Sequence, residues 1–434
     1  MVTYTRILSG CIAVALVVCF YSTSFGQTYG VELHNSLMPA SSGMGGASFS
    51  QPQDLQSAIY ANPATTTQFE GTQFSFGGGW AEPTVNLEQA TSLPLIGVDP
   101  FQAKSQTPGS LVGNIGVLHD IYVQGRPVKL GLGFMTNAGL GVDYRQVPES
   151  NGTHLSLLAL DTVASAATQL TDRLSIGASI QIGTGIMDGP FVGASSSQID
   201  YAARGNIGLN YEMQPGVSFG AYYQSEKSHT FDDLVRFPGQ NFQSLNVDLP
   251  RNVGFGIANR NLMNGRLLVA ADAIFKRYST AETFGSIFDD QWAFQFGTQY
   301  IATCRVRLRA GYAYNENPNR DTVPGTIGGV IPIGGIPAVQ YIQSQVAAIS
   351  QHRLTGGVGI SDITPGVDLD LSLGGMFGAE QSFGNATASV ESYWLAFGFT
   401  WKCGQQNCCG QTACDCGPAT HNLSDTTYSE SVSN

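Results

Sequence analysis

Charge is scarce in this chain. Of its 434 residues only 12% are Asp, Glu, Lys or Arg, about half of the ~25% usual in soluble domains. Basic residues are the scarcer kind, 20 against 32 acidic ones. That excludes a nucleic-acid partner, because phosphate contact needs a basic face. Long apolar runs are missing too. After residue 26 no uninterrupted stretch reaches the ~20 residues of a membrane-crossing helix. No repeat of fixed period is present. The histidines, His34, His119, His154, His229, His352 and His421, sit in no recognisable catalytic signature, so no catalytic residue is assigned and an enzyme is not expected. The cysteines show no paired zinc spacing, so no metal or cofactor is expected.

What the chain does have is glycine, 53 of them, with 10% aromatic and 42% hydrophobic residues. Its first 26 residues read as a signal peptide. Arg6 supplies the positive start, "CIAVALVVCFY" (11–21) the apolar core, and Ser24 and Gly26 the small residues before cleavage. Beyond residue 70 the dominant signal has period 2. In "SIGASIQIG" (175–183), Ile176, Ala178, Ile180 and Ile182 alternate with Ser175, Gly177, Ser179 and Gln181. "RVRLRAGYAY" (305–314), "VDLDLSL" (367–373) and "YWLAFGFTW" (393–401) alternate in the same way. Each is a half-buried strand. A soluble sandwich would turn the apolar face inward; a membrane barrel turns it to lipid. Mid-strand charges such as Arg307, Arg309, Asp368 and Asp370 suit a wet lumen, and terminal aromatics such as Tyr393 and Trp401 suit interfacial girdles.

About 14 strands can be drawn, an even number as in bacterial single-chain barrels. Connections alternate between long ones, near 81–109, 137–152, 185–197, 227–244, 280–288, 316–349 and 380–389, and short ones. Long outer loops with short periplasmic turns are the habit of outer-membrane barrels. The expected fold is therefore all-β: a transmembrane antiparallel barrel of about 14 strands. The longest connection, 316–349, is also the most apolar, and is read either as a cap over the mouth or as a surface loop.

The segment "GMGGASFSQPQDLQSAIYANPA" (43–64), with "GLGFMTNAGLGVDY" (131–144), "LSIGASIQIG" (174–183), "LPRNVGFGIA" (249–258) and "LRAGYAYNENP" (308–318), resembles the FadL-type outer-membrane transporters of long-chain fatty acids and other hydrophobic compounds (the OMPP1/FadL/TodX family). The resemblance runs from about Gly30 to Lys402. It implies a hatch folded inside the lumen, carried here by Gly43, Gly45, Gly46, Ala47, Asn62, Pro63 and Ala64. Small side chains fit a narrow lumen, glycine permits positive φ, and Asn62-Pro63 reads as a helix cap followed by a first-turn proline. The resemblance also implies capture of a hydrophobic solute, hatch movement, and lateral release at a kinked third strand. The matching residues are Asn137, Ala138 and Gly139, where alternation fails; the end of a strand explains the same failure.

The implied organisation is signal peptide 1–26, hatch 27–70, barrel 71–402 and tail 403–434, in an outer membrane of Gram-negative type. The implied partners are a long-chain fatty acid or another hydrophobic small molecule and outer-membrane lipid, with the protein a monomer. A general porin or a structural or adhesive barrel is the alternative. Arg307 and Arg309 are candidates for a ligand carboxylate, or else pair with Asp272, Asp368 or Asp370. Removal of the signal peptide leaves Cys304, Cys403, Cys408, Cys409, Cys414 and Cys416. A disulfide knot joining the tail to Cys304 is expected, since the periplasm permits oxidation.

Overall fold

The computed structural model describes residues 31–189, 192 and 196–403. Its strands are β1 (Thr72–Gln89), β2 (Phe101–Lys104), β3 (Ser110–Val123), β4 (Arg126–Asp143), β5 (His154–Thr171), β6 (Leu174–Asp188), β7 (Ser197–Gln214), β8 (Val217–Gln224), β9 (Lys227–Val235), β10 (Gln243–Leu249), β11 (Arg251–Asn261), β12 (Leu267–Arg277), β13 (Gln291–Ile301), β14 (Val306–Asn315), β15 (His352–Thr364), β16 (Val367–Phe383) and β17 (Ala386–Cys403). Neighbouring wall strands pair antiparallel, and β17 returns to β1 in a register running from Thr72↔Cys403 to Gln89↔Ala386. The sheet thereby closes into a barrel with 14 wall strands. β2 is a short addition to the top of β1, and β9–β10 form a separate hairpin.

The faces settle the inside-outside question. Ile176, Ile180 and Ile182 are exposed on the outer surface, while Ser175, Ser179 and Gln181 between them are buried. Leu308, Leu371, Leu373, Tyr393 and Leu395 also face outward, and Arg309, Asp368, Asp370 and Ser372 face inward. A water-soluble fold would reverse this arrangement; an apolar outer wall is stable only against lipid. Closure pairs the strand edges around the barrel, apart from the upper part of β4 on its β3 side.

The lumen is filled by the chain's own N-terminal part. Residues 31–50 are buried throughout. They are followed by a short helix, Leu55–Tyr60, and a 3-10 helix, Pro63–Gln68. Wall glycines let this segment approach. A Cβ on Gly177 of β6 would stand only 2.6 Å from the backbone N of Ala64 and the carbonyl carbon of Pro63. At Gly311 of β14 it would collide with the backbone of Met44 and Gly45.

Above the lumen the loops build a second core. Helix Ile336–Gln345 buries Ala338, Val339, Tyr341 and Ile342 in a cluster with Phe231 and Leu245 of the β9–β10 hairpin and with Phe284 and Ile287. The apolar connection 316–349 is thus an ordered cap. The boundaries read from alternation need correcting here. The stretch 245–260 is two strands, β10 and β11; the connection 227–244 contains most of a hairpin; and β16 and β17 meet across Gly384-Asn385 rather than a long loop. Upper strand segments are covered on both faces by cap or neighbours, so their sequences stop alternating. In β4, residues 135–142 are all buried.

Candidate functional site

The site is built around β4. Its register against β5 slips between Thr136 and Ala138, leaving Asn137 as a bulge. Pairing with β3 ends at Asn114↔Met135. Above that point β4 pairs as a strand with β5 only, and the wall between β3 and β4 is interrupted until Gln106 N donates to Asp143 O at 2.9 Å. Residues 31–33 fill the interruption from inside. Leu33 N donates to Asn137 O at 2.7 Å, and Glu32 bridges Ala138. This short strap satisfies backbone groups that the missing pairing would otherwise leave bare.

Inside the break lies an apolar chamber. Leu140 of β4, Leu155 and Leu157 of β5 and Met187 of β6 form its wall side, and Val247, Phe284, Ile287, Ile327 and Val346 close it from the cap. Its free space is about 10 Å³, room for about one water-sized sphere. The cap is held over it partly by Tyr341, whose hydroxyl lies 2.8 Å from Thr153 Oγ1. Burial pushes that phenol well above its usual range despite the threonine contact, which keeps it neutral.

A polar layer lies below the chamber. Arg204 of β7 donates to Glu32 Oε1 at 2.8 Å, Gln181 Oε1 at 2.9 Å and the Tyr60 hydroxyl at 2.9 Å, and lies 3.3 Å from Asn137 Oδ1. Tyr60 also donates to Asn137 Oδ1, and Lys227 Nζ is bonded to Asp161 Oδ1. Asn252 donates to Glu32 Oε2 at 3.0 Å. Lys276 of β12 is buried beside Glu32 and makes no hydrogen bond or ion pair among the described residues.

The comparisons with known proteins meet this geometry. Residues 34–187, which run from the strap's end through β6, match the family model "Outer membrane protein transport protein (OMPP1/FadL/TodX)". The Pseudomonas putida toluene transporter TodX is similar in structure, with a TM-score of 0.61 at 17% identity, covering 88% of this chain and 100% of that one. A Pseudomonas aeruginosa FadL homologue gives 0.64 at 15%, covering 87% and 99%. The Ralstonia pickettii toluene transporter TbuX gives 0.56 at 19%, covering 88% and 100%. No curated protein matches. The chain shares the fold of these FadL/TodX-type barrels, and its residues 34–187 resemble that family's model.

In this barrel the residues singled out by sequence fall as follows. Gly43, Gly45 and Gly46 lie buried against β15, β14 and β13, with Gly45 and Gly46 at φ 69° and 93°, and Ala47 is buried with Ala258 of β11 and Leu268 and Ala270 of β12. Asn62 caps the 3-10 helix by accepting from Ala64 N at 3.2 Å, and Pro63 stands in its first turn. Asn137 is the bulge, and Ala138 and Gly139 continue β4 beyond it. Arg307 and Arg309 need a correction as ligand contacts. Arg309 is bound to Asp370 Oδ1 at 2.6 Å and Gln299 Oε1 at 2.7 Å, and Arg307 lies 3.9 Å from Asp368, which also holds Lys402 at 2.7 Å. The internal-pairing alternative describes Arg309, which is buried on its acid, while Arg307 is partly exposed beside Asp368.

Asp272 is not their partner. Its Oδ2 accepts Ser48 N at 2.6 Å and Phe49 N at 2.9 Å and so fastens the lumen segment to β12. Asp54 does similar work within that segment, capping the Leu55 helix and accepting from Ala40 and Ser41. Cys304, in the turn between β13 and β14, is disulfide-bonded. Cys403 is an exposed free thiol, which corrects its place in the expected knot: it ends β17, where its strand is fixed to β1. Cys408, Cys409, Cys414 and Cys416 lie outside the described residues.

Proposed function

We propose that the protein carries hydrophobic compounds inward through the outer membrane, with long-chain fatty acids as the leading substrates, and does so without energy coupling of its own. The observation that carries this reading is the apolar chamber lying directly inside the break between β3 and β4. A water-filled pore gives an apolar solute nothing, whereas burial is worth ~25 cal/mol per Å². A chamber that opens sideways hands the solute from one apolar medium to another and avoids the aqueous route. Residues 27–70 act as the hatch, and the small free space means that cap, strap or hatch must shift to admit a solute.

The lumen filling by residues 31–68 speaks against a general porin, which needs a continuous aqueous path. Lys276 favours an acid over a neutral hydrocarbon, because an ammonium without an acid bound to it offers a carboxylate a charge-assisted partner. Aromatic hydrocarbons are the second reading. TodX and TbuX are toluene transporters, and the chamber's lining is wholly apolar apart from Thr283. The test is uptake into proteoliposomes carrying the mature protein, with a long-chain fatty acid, toluene and a small sugar side by side. Selective passage of an apolar solute is expected. Equal passage of the sugar would return the porin reading.

A further inference from the structure

The layer beneath the chamber joins parts of the chain that must separate during transport. Glu32 belongs to the strap in the wall break. Tyr60 ends the helix of the lumen segment. Asn137 is the bulge of β4. All three meet one guanidinium, that of Arg204. Arg204, Glu32 and Asp161 side chains are wholly buried. A charge left alone there is costly, so the strap, which carries Glu32, does not leave by itself without stranding an ion.

A second acid stands within reach. Asp161 Oδ2 lies 4.0 Å from Arg204 Nη2 and has no hydrogen-bond partner of its own. Its other oxygen holds Lys227, the first residue of the β9–β10 hairpin that enters the cap. One cation therefore faces two carboxylates, of which one travels with the strap and the other is fixed to the wall and tied to the cap.

The geometry points to Arg204 as an exchange latch. With the wall break filled it holds Glu32, Tyr60 and Asn137 together. When residues 31–33 withdraw, its guanidinium passes to Asp161 Oδ2, so the departing strap does not leave a bare cation behind. Two discrete pairings of one ion pair make the opening bistable rather than gradual. The inference rests on the lateral-release reading of the proposed function, and it assigns Arg204 and Asp161 as positioning residues rather than solute contacts. Lys227 competes for Asp161 and so couples the cap to the latch.

The test uses the full mature protein in proteoliposomes, with Val31→Cys in the strap as reporter. Maleimide labelling of that cysteine is followed on its own peptide by mass spectrometry, apart from the native Cys403. Uptake of a long-chain fatty acid is read in parallel, and heat-modifiable migration checks folding. Asp161→Asn removes the landing acid and should lower strap labelling and uptake. Lys227→Met frees Asp161 for Arg204 and should raise strap labelling. Tyr60→Phe removes one bond of the closed pairing and should raise labelling on the order of tenfold, the loss of one hydrogen bond to a charged group. A merely structural network would loosen in every variant. Opposite signs for Asp161→Asn and Lys227→Met support the latch; the same sign, or no change, overturns it. If Asp161→Asn fails to fold alone, it is read together with Lys227→Met, which removes both charges of that pair: labelling below that of Lys227→Met supports the latch, and labelling equal to or above it overturns it. Strap labelling is read whether or not solute passes, so a wild-type protein that transports nothing refutes the transport reading separately.

Discussion

Gly177→Ala should unseat the lumen segment while leaving the barrel intact. The wall at Gly177 touches the backbone of Pro63 and Ala64, with an added Cβ only 2.6 Å from two of their atoms and 2.9 Å from Ala64 Cα. Carbon contacts settle at about 3.5–4.0 Å, so the segment must retreat by nearly an ångström. No rotamer relieves the clash, because all three atoms are backbone. The segment is also pinned nearby: Asn62 Nδ2 donates to Leu209 O at 3.0 Å, and Asn206 donates to Ala61 O at 2.8 Å. Overpacking of this kind costs ~1–3 kcal/mol. About 2 kcal/mol shifts the docked-to-undocked ratio roughly 30-fold. Gly205→Ala on β7 is the matched control, since its Cβ meets nothing within 4 Å. Limited proteolysis with mass spectrometry reads the protection of residues 41–68, and liposome swelling reads sugar leakage. Gly177→Ala should lose protection and leak, and Gly205→Ala should do neither. Equal protection in the two variants refutes the glycine-docking argument.

Further outcomes follow from the same contacts. Asp272→Ala removes the acceptor for Ser48 N and Phe49 N; it should weaken docking of the lumen segment by about 2–4 kcal/mol, measured as earlier proteolysis of that segment in urea. Lys276→Met should lower fatty-acid uptake on the order of tenfold, the loss of one charge-assisted bond, with toluene passage unchanged in the same liposomes. Leu140→Trp overfills a chamber with about 10 Å³ to spare and should reduce uptake of every apolar solute, while heat-modifiable migration stays normal. Cys403→Ser should lower the free-thiol count of the denatured, unreduced protein by one, and Cys304→Ser should raise it by one, because Cys403 is free and Cys304 is bonded.

The wall was legible in the sequence because lipid outside and polar filling inside impose one alternation on many strands. Ile176 to Ile182 and Leu369 to Leu373 gave their faces away directly. Alternation vanished where both faces are covered, as in β4 beyond Thr136, so that part of the wall read as loop. The bulge was visible as a failure of period at Asn137 but carried no sign of what lies inside it. The Arg204 layer was not legible at all. Its Glu32–Arg204 bond joins residues 172 apart, and a lone buried arginine in a strand has no spacing signature. Arg307 and Arg309 drew notice because they are adjacent on one face, yet their acids, Asp368 and Asp370, both sit two strands on, in β16. Lys276, the buried ammonium left without an acid among the described residues, is isolated in sequence.

The central claim is that solutes leave sideways where β4 parts from β3. Deleting Asn137 removes the one-residue slip between Thr136 and Ala138, so that β4 runs on in regular register and the break closes. Fatty-acid uptake into proteoliposomes carrying this deletion, folded by heat-modifiable migration, measures the claim directly. The account predicts that uptake falls to the level of empty liposomes. Uptake equal to that of the intact protein would contradict it.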